Sequence, residues 1–334
     1  MTKESLFSAK SSTRVDLSGG TLDLWPLSTL VSSAGTINCS IDCYTEVSFE
    51  PGPSMVVDVK SPDFKERFEF ANLEDFKNCT DSKMSLLKEA FSILEEESLG
   101  LGKWTLSSES PAGSGLGGSS SLLISILKVL FQVLKRKPWD AELIETAKNI
   151  ESRVLKGPAG IQDYFSPVKK GLNCICYKES GFVREQMLEA LSFIGPCLTI
   201  VDSEIKHHSG MNNWDILKRF VDGDLKVKAA LEEISKINQD LKLALNQKSF
   251  EGLQKAFEQE FEARKDVSDS YINKDLEVFL AQIQKIEEVR AFKVCGAGGG
   301  GCVLLLHQPS EKEDLIQALK DKSISVLPFS LIGS

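Results

Sequence analysis

The chain has 334 residues, 42% of them hydrophobic, and its 39 Lys and Arg against 48 Asp and Glu leave a net charge of −9 at neutral pH. That balance excludes the clustered basic surface of a nucleic-acid binder. No run approaches the roughly 20 apolar residues of a membrane helix, and the opening Met-Thr-Lys-Glu-Ser has no apolar signal core. The expectation is a cytoplasmic monomer or homodimer that contacts neither nucleic acid nor membrane, folded at this length as two lobes sharing an interface.

In chain order, strand signals come first, at Arg14 to Leu17, Gly35 to Phe49, Met55 to Lys60 and Glu66 to Phe70, with Pro and Gly at 51 to 53 as a hairpin break. Met84, Leu87, Phe91 and Leu94 recur at helical spacing, and Ser98 to Gly102 ends that helix. A strand from Trp104 to Ser108 leads into a Gly/Ser loop and a long apolar helix reaching about Arg136. A second helix is capped by Asp140 and runs to about Val154. Strands follow at Gly171 to Tyr177 and Cys197 to Val201. From Asn212 to about Ile286 the pattern is helical, with apolar residues on one face of each segment and Lys/Glu on the other, so that charge runs such as Glu95 to Glu97 need no functional reading. The end reads as a strand (Ala291 to Cys295), a glycine turn, a strand (Cys302 to His307), a helix (Ser310 to Leu319) and a strand (Ser325 to Leu331). The class is α+β: a mixed β/α N-terminal lobe, then a split β-α-β (ferredoxin-like) sheet covered by helices.

The eight cysteines, without a Cys-x-x-Cys pair, are expected as free, mostly buried thiols, with Cys174 and Cys176 on one strand face. His207, His208 and His307 have no metal-ligand spacing, and the adjacent pair reads as an exposed loop.

The chemistry concentrates at residues 111 to 122, Pro-Ala-Gly-Ser-Gly-Leu-Gly-Gly-Ser-Ser-Ser-Leu. A Gly/Ser stretch before a helix can be a flexible linker with its cap, or a cradle whose amides and helix N-terminus hold phosphate. As a cradle it comprises Pro111, Gly113, Ser114, Gly115, Leu116, Gly117, Gly118, Ser119, Ser120 and Ser121, the three hydroxyls placed for phosphate oxygens or a metal ion. Neither the dinucleotide fingerprint nor the Walker loop fits the spacing.

Pro-x-Gly-Ser-Gly-Leu-Gly-x-Ser-Ser resembles the second motif of the galactokinase, homoserine kinase, mevalonate kinase and phosphomevalonate kinase (GHMP) superfamily, with Gly118 where many members carry a serine. Arg14 to Leu24 (Arg-Val-Asp-Leu-Ser-Gly-Gly-Thr-Leu-Asp-Leu) is similar to its first motif, and Lys293 to Leu304 (Lys-Val-Cys-Gly-Ala-Gly-Gly-Gly-Gly-Cys-Val-Leu) to its third. The three motifs stand in family order over nearly the whole chain. The resemblance implies the two-lobed GHMP kinase fold, an N-terminal ATP-binding lobe over 1–195, a C-terminal lobe over 196–334, and ATP and Mg2+ as cofactors. It implies Ser119 on phosphate and magnesium, with Glu151 completing the metal site. Asp163, in Gly-Ile-Gln-Asp-Tyr-Phe, takes the position of the catalytic base, and Arg14 lies beside it. Asp23 takes the position that binds sugar hydroxyls, joined at the substrate by Gly20, Thr21, Gly298 and Gly299.

Gly-Gly-x-x-Asp-x-x-Pro is similar to the branch of heptose and fucose kinases that phosphorylate the anomeric hydroxyl, so the implied acceptor is a sugar or sugar phosphate, such as a heptose 7-phosphate. If the sugar carries a phosphate, Lys206, His207 and His208 would receive it. Two alternatives stay open: a small-alcohol kinase of the mevalonate or homoserine type, and a noncatalytic sensor that binds nucleotide or sugar on the same fold.

Overall fold

Strand β1 (Phe7–Ser18) pairs antiparallel with the long β2 (Gly35–Pro51), after the short helix α1 (Leu27–Leu30), and this ribbon is the spine of the N-terminal half. The computed structural model describes residues 6–94, 101–205 and 211–333. Next come β3 (Met55–Lys60), β4 (Lys65–Phe70), α2 (Leu73–Asn78), α3 (Ser85–Leu94), β5 (Gly102–Ser108), α4 (Gly118–Val133), α5 (Asp140–Leu155), α6 (Phe165–Val168), β6 (Leu172–Lys178), β7 (Gly181–Gln186) and α7 (Leu188–Ile194). The sheet runs β4-β3-β5-β2-β6-β7, with β1 on β2 off that path. β2 is long enough to pair with β5 over Thr45–Pro51 and with β6 over Gly35–Cys39. The Pro and Gly at 51 to 53 therefore close no hairpin: β5 lies between β2 and β3 and runs parallel to β3. Trp104, Phe49, Phe76 and Phe91 stack into the core under α3, and Leu123, Ile124, Leu127 and Leu130 bury the apolar face of α4 in the same core.

The C-terminal half holds β8 (Leu198–Asp202), α8 (Met211–Val221), α9 (Leu225–Gln247), α10 (Phe250–Val267), α11 (Lys274–Ile283), β9 (Ala291–Val294), β10 (Cys302–Leu306), α12 (Lys312–Asp321) and β11 (Ser325–Leu327). Its sheet order β11-β8-β10-β9, antiparallel throughout, is the interleaved arrangement of a split β-α-β pair. The two halves share a second core: Val15, Ile37 and Cys39 from the spine meet Leu241 and Phe257 from the helices and Ile200 and Leu304 from the second sheet. The tail returns to the spine, where Asp42 N donates to Ser330 O and Ile332 N to Ser40 O, both at 2.9–3.0 Å.

Several elements depart from expectation for visible reasons. β1 begins seven residues before Arg14, because its first four residues, Phe-Ser-Ala-Lys, alternate between partial and full exposure and carry little strand signal. β7, Gly-Phe-Val-Arg-Glu-Gln, is an edge strand whose burial never exceeds partial, and α2 is announced only by Asn72, whose side chain accepts from Asp75 N. Asp140 is the first residue of α5 rather than its cap; Trp139 stands in the cap position and makes no side-chain bond there. The cysteines are free, six of them buried, but Cys176 is exposed although it lies two residues from buried Cys174. His307 is fully buried between Thr199 Oγ1 and Gln308 O. His207, His208, Lys206 and the Glu95 to Glu97 run lie outside the described residues. Among the described residues no helix is long and apolar enough to cross a membrane.

Candidate active site

The Gly/Ser stretch leaves β5 at Ser108 and enters α4 at Gly118, along the wall of a cavity of about 460 Å³. Gly113, Gly115 and Gly117 all take positive φ, 72° to 75°, which turns successive amides to one side. The glycine turn between β9 and β10 braces this loop from behind: a Cβ on Gly115 would lie 2.4 Å from Cys295 O, and Cys302 N donates to Ser114 O at 2.8 Å. A flexible linker needs no such bracing. Away from the loop, Val59, Phe64, Leu86 and Leu106 give the cavity an apolar end suited to a nucleoside.

At the other end, the segment after α5 brings a carboxylate to Arg14. Arg14 Nε and Nη2 donate to Asp163 Oδ1 and Oδ2 at 2.8 and 2.7 Å, a two-pronged pair in which Arg14 is 3% exposed and Asp163 25%. Burial opposes the Arg14 charge, yet Asp163 and then Asp16 hold the guanidinium more firmly protonated than usual. Asp23 stands on the same cavity; its Oδ2 accepts Gln162 N at 3.0 Å. Burial pushes the Asp23 carboxyl up to about 6, against the pull of the Gln162 amide and with help from the nearby Asp163 charge. A Cβ on Gly160 would lie 2.0 Å from Asp23 Oδ2, so only glycine lets the turn approach that carboxylate.

Glu151 also lines the cavity, where Ser120 Oγ donates to it at 3.2 Å and the Tyr164 hydroxyl bonds it directly. Burial raises Glu151 to about 7, only partly offset by the Tyr164 and Ser120 hydroxyls. Among the described residues no group of three or more His, Cys, Asp or Glu stands together. One carboxylate beside hydroxyls and a phosphate cradle fits magnesium, which takes few protein ligands and fills its shell with phosphate oxygens and water.

Gly20, Thr21, Pro111, Gly113, Ser114, Gly115, Gly117, Gly118, Ser119 and Ser120 line the cavity as expected from sequence. Four expected residues do not. The Leu116 side chain is in the shared core, and only its carbonyl serves the site's surroundings, accepting Arg14 N. Ser121 is fully buried, bonded to Thr45 Oγ1 and Ser11 O, because one residue further along α4 has rotated into the sheet. Gly298 and Gly299 pack against Tyr271, Gly299 N donating to Tyr271 O at 2.8 Å, while Gly296 and Ala297 face the cavity instead. Ser121→Ala is accordingly expected to lower stability by about 1 to 3 kcal/mol, the cost of stranding buried partners, read as a drop in melting temperature with ligand affinities unchanged.

Sequence reasoning missed Tyr164 as the partner of Glu151, Asn213, which lines the cavity from α8 and donates to Pro158 O at 3.1 Å, and a set of buried charges behind Gly19–Gly20. In that set Lys293 and then Arg264 hold the Glu260 carboxyl below the usual carboxylate range against the upward pull of burial. The period-2 placement of Asp16 after Arg14 was the available signal for the last.

Residues 85–171 match the family described as GHMP kinases N terminal domain. The chain is 25% identical over 312 residues, 88% of its length and 87% of the relative's, to D-glycero-alpha-D-manno-heptose 7-phosphate kinase of Campylobacter jejuni subsp. jejuni serotype O:2. Among solved structures it is similar to a D-glycero-D-manno-heptose 1-phosphate kinase from Bacteriodes thetaiotaomicron, with 21% identity, TM-score 0.76 and coverage of 99% of this chain and 97% of that one. It is also similar to the Methanococcus jannaschii mevalonate kinase, with 20% identity, TM-score 0.75 and coverage of 99% and 100%. At these identities the two structures speak for the fold.

Proposed function

We propose that the chain, whose residues 85–171 match the GHMP kinases N terminal domain, is an ATP-dependent sugar kinase of that superfamily acting on the anomeric hydroxyl of a heptose 7-phosphate or a related sugar. The observation that carries the reading is the two-pronged Arg14–Asp163 pair beside the glycine cradle, with the Asp23 carboxylate on the same cavity. The heptose 7-phosphate kinase name of the Campylobacter relative supports the choice of sugar.

In this reading the amides of Gly113 to Gly118 and the N-terminus of α4 hold the β- and γ-phosphates. Asp23 accepts two sugar hydroxyls and so orients the ring. Asp163 takes the proton of the attacking hydroxyl, and Arg14 orients Asp163 through its two bonds and faces the charge that develops on the transferring group. Magnesium, held by Glu151 with the hydroxyls of Ser119 and Ser120, would neutralise phosphate oxygens. A noncatalytic sensor needs neither a buried arginine nor a base aimed by it.

The deciding experiment offers ATP with heptose 7-phosphate, fucose, galactose, mevalonate and homoserine. Phosphorus NMR of the product should show coupling to an anomeric proton, and the 1-O-methyl glycoside should bind without reacting. Coupling to a ring or primary carbon's proton would sink the regiochemistry, and turnover of mevalonate alone would sink the sugar.

Two smaller predictions belong here. Ser119→Ala and Ser120→Ala are both expected to raise the magnesium concentration needed for half-maximal rate, Ser120→Ala also releasing Glu151 from its bond; equal magnesium curves for all three proteins would remove the serines from the metal site. The second concerns pH. A carboxylate accepts hydroxyl donors fully only when ionised, and Asp23 in the free protein titrates near 6, above an ordinary aspartate. Its contribution to ligand-free stability is therefore complete in acid and lost as pH rises through about 6, whereas sugar binding strengthens over the same range. Below that point KM for the sugar should rise about tenfold per pH unit. Asp23→Asn should give a flat profile, and an unchanged slope in that variant would assign the titration elsewhere.

A further inference from the structure

Behind the Gly19–Gly20 turn lies a set of buried charges of which only Asp16 bears on the chemistry above, through its charge near Arg14. Asp16 on β1, Glu260 and Arg264 one turn apart on α10, and Lys293 on β9 are each at most 4% exposed. Glu260 Oε1 accepts Arg264 Nε at 2.8 Å and Lys293 Nζ at 2.6 Å. Lys293 Nζ and Arg264 Nη2 also stand 3.4 and 3.9 Å from Asp16 Oδ2 as ion-pair contacts, and among the described residues neither Asp16 oxygen has a hydrogen-bond partner. The quartet is neutral as a whole, two acids against two bases.

Burying four charges is a poor way to gain stability, since apolar side chains of the same volume do as well or better. What charges supply and methyl groups do not is direction. From the quartet, side-chain bonds reach two main-chain groups of one turn: Glu260 Oε2 accepts Gly19 N at 3.3 Å, and Arg264 Nη2 donates to Gly20 O at 3.1 Å. Gly20 has the cavity on one face and the quartet close by, because a Cβ there would lie 2.8 Å from Arg264 Nη2 and 3.1 Å from Asp16 Oδ2. The turn leads within three residues to Asp23, and Asp16 lies two residues beyond Arg14 on the same strand. Three of the charges that tie this turn to the C-terminal half come from that half, and the fourth from the strand that carries Arg14.

We propose that the Asp16–Glu260–Arg264–Lys293 quartet is a positioning device for the acceptor, through which the C-terminal half fixes the Gly19–Gly20 turn and so sets where Asp23 holds a sugar relative to Arg14 and Asp163. The proposal rests on the reading of Asp23 as the acceptor's ligand. These four are positioning residues and touch no substrate themselves.

The test uses Arg264→Lys in the full chain, which keeps the charge and loses the planar fork that reaches Glu260 and Gly20 together. KM for the sugar should rise at least about tenfold, with KM for ATP within about twofold of the parent. Amide hydrogen exchange should quicken at residues 19–22 and stay unchanged at 113–121. An unaltered sugar KM with unaltered exchange at 19–22 overturns the proposal. So does a parallel loss for both substrates with faster exchange in both loops, since that is what a merely structural role produces. Should Arg264→Lys fail to fold, Asp16→Asn, which keeps the volume and leaves the Glu260 bonds intact, is judged on the same readings. If the parent protein phosphorylates no sugar, the functional reading fails by itself, and the exchange comparison still decides whether the quartet holds the turn.

Discussion

Asp163→Asn is expected to bind ATP as the parent does and to turn over at least about a hundredfold more slowly, the scale of a lost general base. The substitution keeps the shape of the side chain but puts an amide where Arg14 Nε and Nη2 now donate to two carboxylate oxygens at 2.8 and 2.7 Å. One of the two contacts then becomes donor against donor. The arginine, 3% exposed, would be left with a single oxygen on that side and its bond to Gly115 O. Base, orientation and compensating charge fail together, which is why the loss should fall on kcat rather than on nucleotide affinity. Calorimetric titration with a nonhydrolysable ATP analogue, alongside steady-state rates, separates the two. A rate near that of the parent would take Asp163 out of the reaction.

The second large effect is expected at the sugar. Asp23→Ala removes a carboxylate that would accept two hydroxyls, and charge-assisted bonds of this kind contribute about 1.5 to 3 kcal/mol each. The specificity constant for the sugar should therefore fall by a hundredfold or more, roughly 2.7 kcal/mol. Gly160→Ala should mimic it without touching the carboxylate, because the new methyl would lie 2.0 Å from Asp23 Oδ2 and 2.6 Å from its Cγ and would have to drive the side chain off its place. Both variants should leave ATP affinity near the parental value. If either weakens ATP as much as sugar, Asp23 is holding the cavity together and not reading the acceptor.

Much of this site was legible because its chemistry is local in sequence. The cradle is written in twelve consecutive residues, Asp163 follows a Gly-Pro-Ala-Gly turn, and Arg14 opens a run of strand signal. The register within the cradle was not legible past Ser120. Ser119 and Ser120 face the cavity and Ser121 faces Thr45, a distinction that depends on where the helix begins and on the strand beneath it. The third glycine motif was placed correctly in the fold but assigned to the substrate at Gly298 and Gly299, where the contact is with Tyr271. The buried quartet was hidden for a different reason, apart from the placement of Asp16 two residues after Arg14: its members lie at 16, 260, 264 and 293, and only the meeting of α10, β9 and β1 makes them neighbours. Charged residues on an amphipathic helix read as solvated until something packs over them. Among the elements, β3 was clear because its alternation was strong and β6 because it is a mostly buried run, while the edge strand β7 was silent because it has little to bury.

The shared second core bears on how the chain is made. Val15, Leu17, Ile37 and Ile41 present an apolar face early in translation, but the residues that cover it, Leu241, Leu253, Phe257, Leu304 and Leu306, are synthesised two hundred or more residues later. The N-terminal half thus leaves the ribosome with one side of its spine uncovered, and with Ser40 and Asp42 still lacking the main-chain partners they find at Ile332 and Ser330. Growing chains in that state expose the kind of surface that sticks to its own copies or is held by chaperones. Yield of the folded protein should consequently depend on how quickly the final third is delivered.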